Sequence, residues 1–219
     1  MQRQTPRTIF FDYDGTLHDS LAIYAPAFRQ AYQYLVTTYD APRRTWSDDE
    51  IKPFLGQPPS VMWNQFGDAI PEKGKKEASK MIGEDMRRRI QNNEARLYEG
   101  AIDTLRYLKD KGYTLVFISN CLTYYMKAHS EMFNLSDYFD RMVCSETFAG
   151  IEEKTNVLAH IKPEFEEPMM IVGDRYHDFE AGRDNDIATI AASYGFGDAR
   201  ERANTDRIID DIRELQKML

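Results

Sequence analysis

The run Asp12-Tyr13-Asp14-Gly15-Thr16-Leu17 sets two carboxylates one residue apart, directly after the apolar, β-rich stretch Thr8-Ile9-Phe10-Phe11. The acids therefore stand where a short strand should end. At such an end two acids can share one cation, the first through its side chain and the second partly through its backbone carbonyl, and Gly15 permits a tight exit from the strand. Related arrangements occur twice more. Thr114-Leu115-Val116-Phe117-Ile118 ends in the hydroxyl of Ser119, and Met169-Met170-Ile171-Val172 runs through Gly173 into Asp174. The chemistry open to acids and a hydroxyl so placed is hard-cation binding, nucleophilic attack by a carboxylate, and proton transfer.

The elements that must position these groups can be read around them. Met142-Val143-Cys144 and Ile187-Ala188-Thr189-Ile190-Ala191 add two more apolar runs. Continuous runs of this length suit strands covered on both faces, as in a parallel sheet. Helical patterns separate the runs, at 101–111 with Ile102, Leu105 and Leu108 on one face, and at 123–133, 154–161, 178–185 and 207–218. Strands alternating with helices predict βαβ units and a doubly wound, Rossmann-like α/β domain with a parallel sheet. Ligands bind such sheets beyond the carboxyl ends of the strands, which is where Asp12, Ser119 and Asp174 fall.

Residues 20–95 have a different texture, with no strand pattern. Asp19 or Ser20 can cap a helix carrying Ile23, Ala27, Ala31 and Leu35. Ser47-Asp48-Asp49-Glu50 has capping-box spacing. Leu55-Gly56-Gln57-Pro58-Pro59 breaks the chain, Ser60 starts a short helix through Phe66, and Pro71 opens a longer charged one. The domains are expected to be an α/β core of residues 1–19 and 96–219 with an all-helical insertion of 20–95.

A chain of 219 residues with 42% hydrophobic and 29% charged content is long enough for a proper core and ordinary for a soluble protein. It holds no apolar run of the roughly 18 residues needed to cross a bilayer, and its polar first seven residues do not resemble a signal peptide, so a cytoplasmic location and no membrane partner are expected. A formal charge of −8 argues against nucleic acid as a partner but not against a small anionic ester, because a cation and a lysine can reverse the sign of one pocket. Cys121 and Cys144 are read as reduced, packed thiols.

The run Phe10 to Ser20 resembles the first motif of haloacid dehalogenase superfamily phosphatases. Three further motifs of that family follow in order: Ser119 with Asn120 after an apolar strand, Lys154 opening a helix, and Gly173-Asp174-Arg175-Tyr176-His177-Asp178. Leu97-Tyr98-Glu99-Gly100 and Tyr194-Gly195-Phe196-Gly197 resemble the phosphoglycolate-phosphatase-like branch. Thr155 stands after the lysine where many relatives have proline, a departure that leaves the amine itself in place.

The resemblance implies a Mg²⁺-dependent phosphatase acting on a small phosphorylated metabolite. Asp12 would attack phosphorus and form an aspartyl-phosphate, and Asp14 would protonate the leaving group and then deprotonate water. Ser119, the backbone N–H of Asn120 and Lys154 would hold the phosphoryl oxygens, although Asn120 can equally bond its own turn. Asp12, the Asp14 carbonyl and Asp174 would form an oxygen-only cation site suited to Mg²⁺, with Asp178 holding a metal-bound water, orienting Lys154 or capping its helix. His18 and His177 are read as surface histidines, and Gly195 and Gly197 as turn formers. The insertion would be a mobile cap that excludes water, with the break at 55–59 either a substrate loop or a plain turn. Tyr24, Arg29, Lys52 and Trp63 carry side chains suited to a leaving group, and nothing selects among them.

Three other readings compete. A haloalkanoate dehalogenase has no use for the acid at Asp14. A phosphosugar mutase would keep every core motif but should show a His-and-Arg pattern where Tyr24-Ala25-Pro26-Ala27-Phe28 stands. A non-catalytic phosphate-binding regulator would tend to lose the acids, which are intact here.

Overall fold

The computed structural model describes residues 6–57, 59–144, 146–151 and 153–219. Pro58, in the middle of the expected chain break, lies outside the described residues, as do residues 1–5. In chain order, β1 (Thr8–Phe11) precedes α1 (Leu21–Tyr39), α2 (Asp48–Ile51), α3 (Pro59–Asn64) and α4 (Glu72–Gln91). Then come α5 (Ala101–Asp110), β2 (Thr114–Ser119), α6 (Thr123–Phe133), β3 (Arg141–Cys144) and α7 (Lys154–Ile161). The chain closes with β4 (Met169–Gly173), α8 (Tyr176–Asp184), β5 (Ala188–Ala192), β6 (Arg207–Ile209) and α9 (Leu215–Met218). Two compact units result, one of residues 1–19 and 97–219, the other of Ser20–Arg96.

The first unit is a doubly wound α/β fold. Its described strands form one six-stranded sheet in the order β3-β2-β1-β4-β5-β6, every pairing parallel. β1 lies in the middle, its four residues buried, with Phe11 beside Phe117 of β2 on one side and Val172 of β4 on the other. Phe10, Val116, Ile118, Ile171, Leu158 and Ile161 belong to one buried apolar cluster. Phe11, Phe117 and Phe139 make a set of edge-to-face ring contacts. Full burial of each such side chain contributes roughly 1.5–3 kcal/mol, so the strand ends are anchored in the buried apolar core of the unit.

One expected element is different. The pattern at 207–218 predicts a single helix, whereas the chain first adds β6 at the sheet edge, pairing Ile190 with Arg207. Two adjacent β-branched residues, Ile208 and Ile209, favour a strand, and Asp211 with Glu214 then closes a capping box that starts a fresh helical turn. The expected 178–185 helix begins earlier, at Tyr176, because the Asp178 carboxylate accepts the N–H groups of Asp174 and Arg175 from inside the first turn.

The second unit is helical throughout its described residues. α1 packs on α4, and Phe28, Tyr32, Trp46, Phe54 and Trp63 build an aromatic core. Ser47 and Glu50 form the expected capping box of α2. Trp63 is 2% exposed and its Nε1 donates to Ser79 Oγ at 2.8 Å, which removes it from the residues suited to face a ligand. Arg29 donates to the Trp46 carbonyl and pairs with Asp48, and the Tyr24 hydroxyl donates to Met62 Sδ. Among the described residues no helix is long and apolar enough to cross a membrane.

Candidate active site

The ends of β2, β1 and β4, three neighbouring strands, carry Ser119, Asp12 and Asp174. The parallel ladder continues one residue past β1, because the Asp12 N–H donates to the Val172 carbonyl at 2.9 Å. This pins the Asp12 backbone at the carboxyl edge of the sheet. Lys154, the first residue of α7, reaches the same edge and donates to Asp12 Oδ1 at 2.6 Å and to Asp178 Oδ1 at 2.5 Å. Asp178 divides its two oxygens. Oδ1 takes the lysine, and Oδ2 accepts the N–H groups of Asp174 and Arg175 at 3.1 and 3.0 Å. Capping its helix and orienting Lys154 are therefore one arrangement.

Asp12, Asp174 and Asp178 are buried, and each offers an oxygen within 4.8 Å of the others. Burial and the Asp178 charge push the Asp12 carboxyl up to about 7, against the pull of Lys154. Burial, Asp12 and Asp178 hold the Asp174 carboxyl well above the usual carboxylate range. Burial opposes the charge on Lys154, but Asp12 and Asp178 outweigh it and hold the ammonium charged. Fully ionised, three crowded carboxylates against one ammonium would leave net negative charge in a low-dielectric site, and without a cation the raised values relieve it by protonation. Asp174 Oδ2 accepts the Phe196 N–H at 2.6 Å, whereas Oδ1 is buried without a partner. An all-oxygen donor set with unbalanced charge and an unsatisfied carboxylate oxygen fits a hard divalent cation rather than a thiophilic one.

Glycines make room for this cluster, and the sequence reading missed two of them. A Cβ on Gly195 would lie 2.3 Å from Asp174 Cβ, and one on Gly197 only 2.1 Å from the Asp174 carbonyl oxygen. Gly15, with φ +85°, would bring a Cβ to 2.2 Å from Asp174 Oδ2. Gly195 and Gly197 thus do more than turn the chain: they let the loop after β5 lie on Asp174 while Phe196 donates to it. The available signal was the pair of glycines flanking an aromatic just beyond an apolar strand.

Asp14 behaves differently from its neighbour. Its carboxylate bonds His18 and Tyr125 rather than the cluster, and its side chain is 34% exposed. Burial would raise it, but the bond and charge of His18 prevail and hold it below the usual carboxylate range. Ser119 is buried and its Oγ accepts the Cys121 N–H at 3.3 Å, while Asn120 is exposed between them. Neither Ser119 nor Asn120 has a hydrogen bond to the acidic cluster among the described residues. His177 is half-buried, its ring tilted against that of Tyr176. His18, expected at the surface, has no exposure at all. Its i,i+4 relation to Asp14 and the aromatic surroundings draw it inward. Neither Cys121 nor Cys144 is in a disulfide among the described residues, and burial raises the Cys121 thiol above an ordinary one, which disfavours its thiolate.

The haloacid dehalogenase-like hydrolase family matches residues 9–192. A phosphoglycolate phosphatase of Haemophilus influenzae is 26% identical, covering 97% of this chain and 98% of its own. One from Aquifex aeolicus is 30% identical, covering 87% and 86%. The crystal structure of a predicted phosphoglycolate phosphatase from Haemophilus somnus agrees in fold with a TM-score of 0.80, at 22% identity and with 97% of each chain covered. The chain belongs to the haloacid dehalogenase-like hydrolase family and is a phosphoglycolate-phosphatase-like enzyme within it.

Proposed function

We propose that this protein is a Mg²⁺-dependent phosphatase that hydrolyses a small phosphorylated metabolite through an aspartyl-phosphate on Asp12. The observation that carries the reading is the pairing of Asp12 with Lys154 inside a buried cluster of three carboxylates. A carboxylate fixed at a strand end is held for in-line attack, and pre-set orientation is a major part of phosphoryl-transfer catalysis. Asp12 and Asp174, with the carbonyl of Asp14, would hold Mg²⁺, and Asp178 would stand beside them. Bound there, Mg²⁺ would screen the repulsion between the Asp12 carboxylate and the incoming phosphate dianion.

The remaining roles follow from donor chemistry. Lys154 supplies positive charge to the equatorial oxygens of the transferring group, and the Ser119 hydroxyl and Asn120 N–H donate to the same oxygens. Asp14 gives a proton to the leaving oxygen, then takes one from the water that hydrolyses the aspartyl-phosphate. The helical unit serves as a cap that excludes water and selects the leaving group. Phosphoglycolate is the first substrate to test, because it names several relatives.

The experiment is a phosphate-release screen with Mg²⁺ over phosphoglycolate, sugar phosphates, nucleoside monophosphates and pyrophosphate, with 4-nitrophenyl phosphate as a generic probe. Chelator should abolish release, and Asp12→Asn should abolish it without unfolding the protein. Substantial turnover by folded Asp12→Asn would remove Asp12 as nucleophile.

A further inference from the structure

Asp14 is held by two groups from different elements. His18 Nδ1 lies 2.8 Å from Asp14 Oδ1, and the Tyr125 hydroxyl of α6 donates to that same oxygen at 2.8 Å. A carboxylate oxygen facing two such groups can only accept, so the Nδ1–H of His18 and the O–H of Tyr125 both point at it. This fixes the His18 tautomer. Although His18 Nδ1 and the Tyr125 hydroxyl oxygen are 3.2 Å apart, both hydrogens are committed to Asp14. Asp14 Oδ2 has no hydrogen-bond partner among the described residues, on a side chain that is 34% exposed.

The two donors are themselves locked. The rings of Tyr13 and His18 stack at 5.1 Å and 13°, and His129 of α6 meets His18 edge-on at 4.5 Å. The Tyr13 hydroxyl and His129 Nδ1 are 2.7 Å apart, and Tyr13, His18 and His129 have no solvent exposure. Buried polar side chains so arranged restrict rotation more than surface groups do. None of these four residues takes part in the nucleophile and cation chemistry of Asp12, Asp174 and Asp178.

We propose that His18 and Tyr125 are positioning residues for Asp14: by gripping Oδ1 they aim Oδ2 as the proton-transfer atom, with Tyr13 and His129 bracing them. The proposal rests on the acid/base role given to Asp14 above. The grip suits both half-reactions. In the first, Asp12 bonds phosphorus as the bond from phosphorus to the leaving oxygen breaks and that oxygen takes the proton from Oδ2. In the second, Oδ2 takes a proton from water as the water oxygen bonds phosphorus and the acyl-phosphate bond to Asp12 breaks. Oδ1 keeps two lone pairs whether the group is acid or anion, so its two donors need not move.

The test compares kcat/KM for phenyl phosphate and 4-nitrophenyl phosphate, which present nearly the same shape. Phenolate is the more basic leaving group and depends more on a well-aimed acid. The variants are His18→Leu, Tyr125→Phe, His18→Asn, which restores an N–H near Nδ1, and Asp14→Asn as reference. The phenyl-to-nitrophenyl ratio should fall about tenfold in His18→Leu and in Tyr125→Phe, with KM within about twofold of wild type. His18→Asn should recover most of the loss. A ratio unchanged in His18→Leu and Tyr125→Phe, with Asp14→Asn still lowering it, overturns the positioning role and leaves the acid/base role standing. Equal losses on both substrates also overturn it, since they report general disruption. A ratio unmoved even in Asp14→Asn removes the acid/base role and this proposal with it.

Discussion

Replacing Asp174 by Asn should make the metal-free protein more stable while it destroys cation binding. Three carboxylates lie within 4.8 Å of one another, the one ammonium pairs with Asp12 and Asp178, and Asp174 Oδ1 has no hydrogen-bond partner among the described residues. Their cost can be bounded from Asp12, whose carboxyl stands at about 7 instead of an ordinary carboxylate value of about 3.9. About three pH units at roughly 1.4 kcal/mol each gives a ceiling near 4 kcal/mol for holding that one group ionised. The sign follows from the raised value. Between about pH 4 and 7 the folded state binds more protons than the unfolded chain, so stability in chelator falls as pH rises through that range. The amide cannot ionise, so it removes the cost of protonating or ionising Asp174 in the fold at neutral pH. It would keep an oxygen for the Phe196 N–H and turn an NH₂ toward the remaining acids. A gain of about 1–3 kcal/mol at pH 7.5 is expected, or roughly 2–10 °C in the melting of a unit this size. Thermal unfolding in EDTA and in saturating Mg²⁺ reads this directly. Wild type should gain about 2.7 kcal/mol at a hundredfold excess over its Kd and the variant little, so Mg²⁺ should close or reverse the gap. If Asp174→Asn melts below wild type in EDTA, or if Mg²⁺ raises both equally, the crowded-charge account is wrong.

Two further substitutions separate space from charge. Gly195→Ala puts a methyl 2.3 Å from Asp174 Cβ, so it should cost about 1–3 kcal/mol and raise the Mg²⁺ concentration for half-maximal activity. Gly83→Ala in the interior of α4 meets nothing within 4 Å and should stabilise by roughly 0.4–1 kcal/mol, a matched control read in the same melts. Lys154→Met leaves Asp12 and Asp178 buried without their shared partner, at a cost of about 3–5 kcal/mol at neutral pH. Its kcat should fall by about 10²-fold or more, and lowering the pH should restore part of its stability but none of its rate.

What was legible in the sequence was the part governed by local pattern. Apolar runs ending at Asp12, Ser119 and Asp174 marked three strand ends, because strands buried on both faces leave a continuous signature. The motif-four spacing brought Asp178 to within reach of Lys154. Short edge structure escaped: β6 has three residues, and the Ile208–Ile209 pair is compatible with either period over so short a span. The buried state of His18 also escaped, since its partners Tyr125 and His129 lie more than a hundred residues away. Gly195 and Gly197 read as turn glycines because nothing local says what a missing Cβ makes room for.

The site divides into a rigid half and an open half, and the division matches what each half must do. Asp12, Lys154, Asp174 and Asp178 are fixed by strand ends and helix first turns, and the Lys154 and Asp178 side chains each make two or more hydrogen bonds. Rigid backbone keeps like charges together that would otherwise separate, so their repulsion is retained for a cation to relieve. If the lysine served only to neutralise a structural acid, a single carboxylate would suffice and Asp174 would have no reason to hold an unpartnered oxygen. Asp14 is instead gripped through one oxygen, with no partner at the other among the described residues, an arrangement that suits the proton-transfer role proposed for it. Two acids separated by one residue thus differ in burial, in partners and in the direction in which burial and neighbours move their proton affinity, Asp12 up and Asp14 down. In the metal-free state these directions oppose the proposed roles, so a cation at the cluster would have to lower Asp12 for attack, and an incoming phosphate dianion would have to raise Asp14 for proton donation.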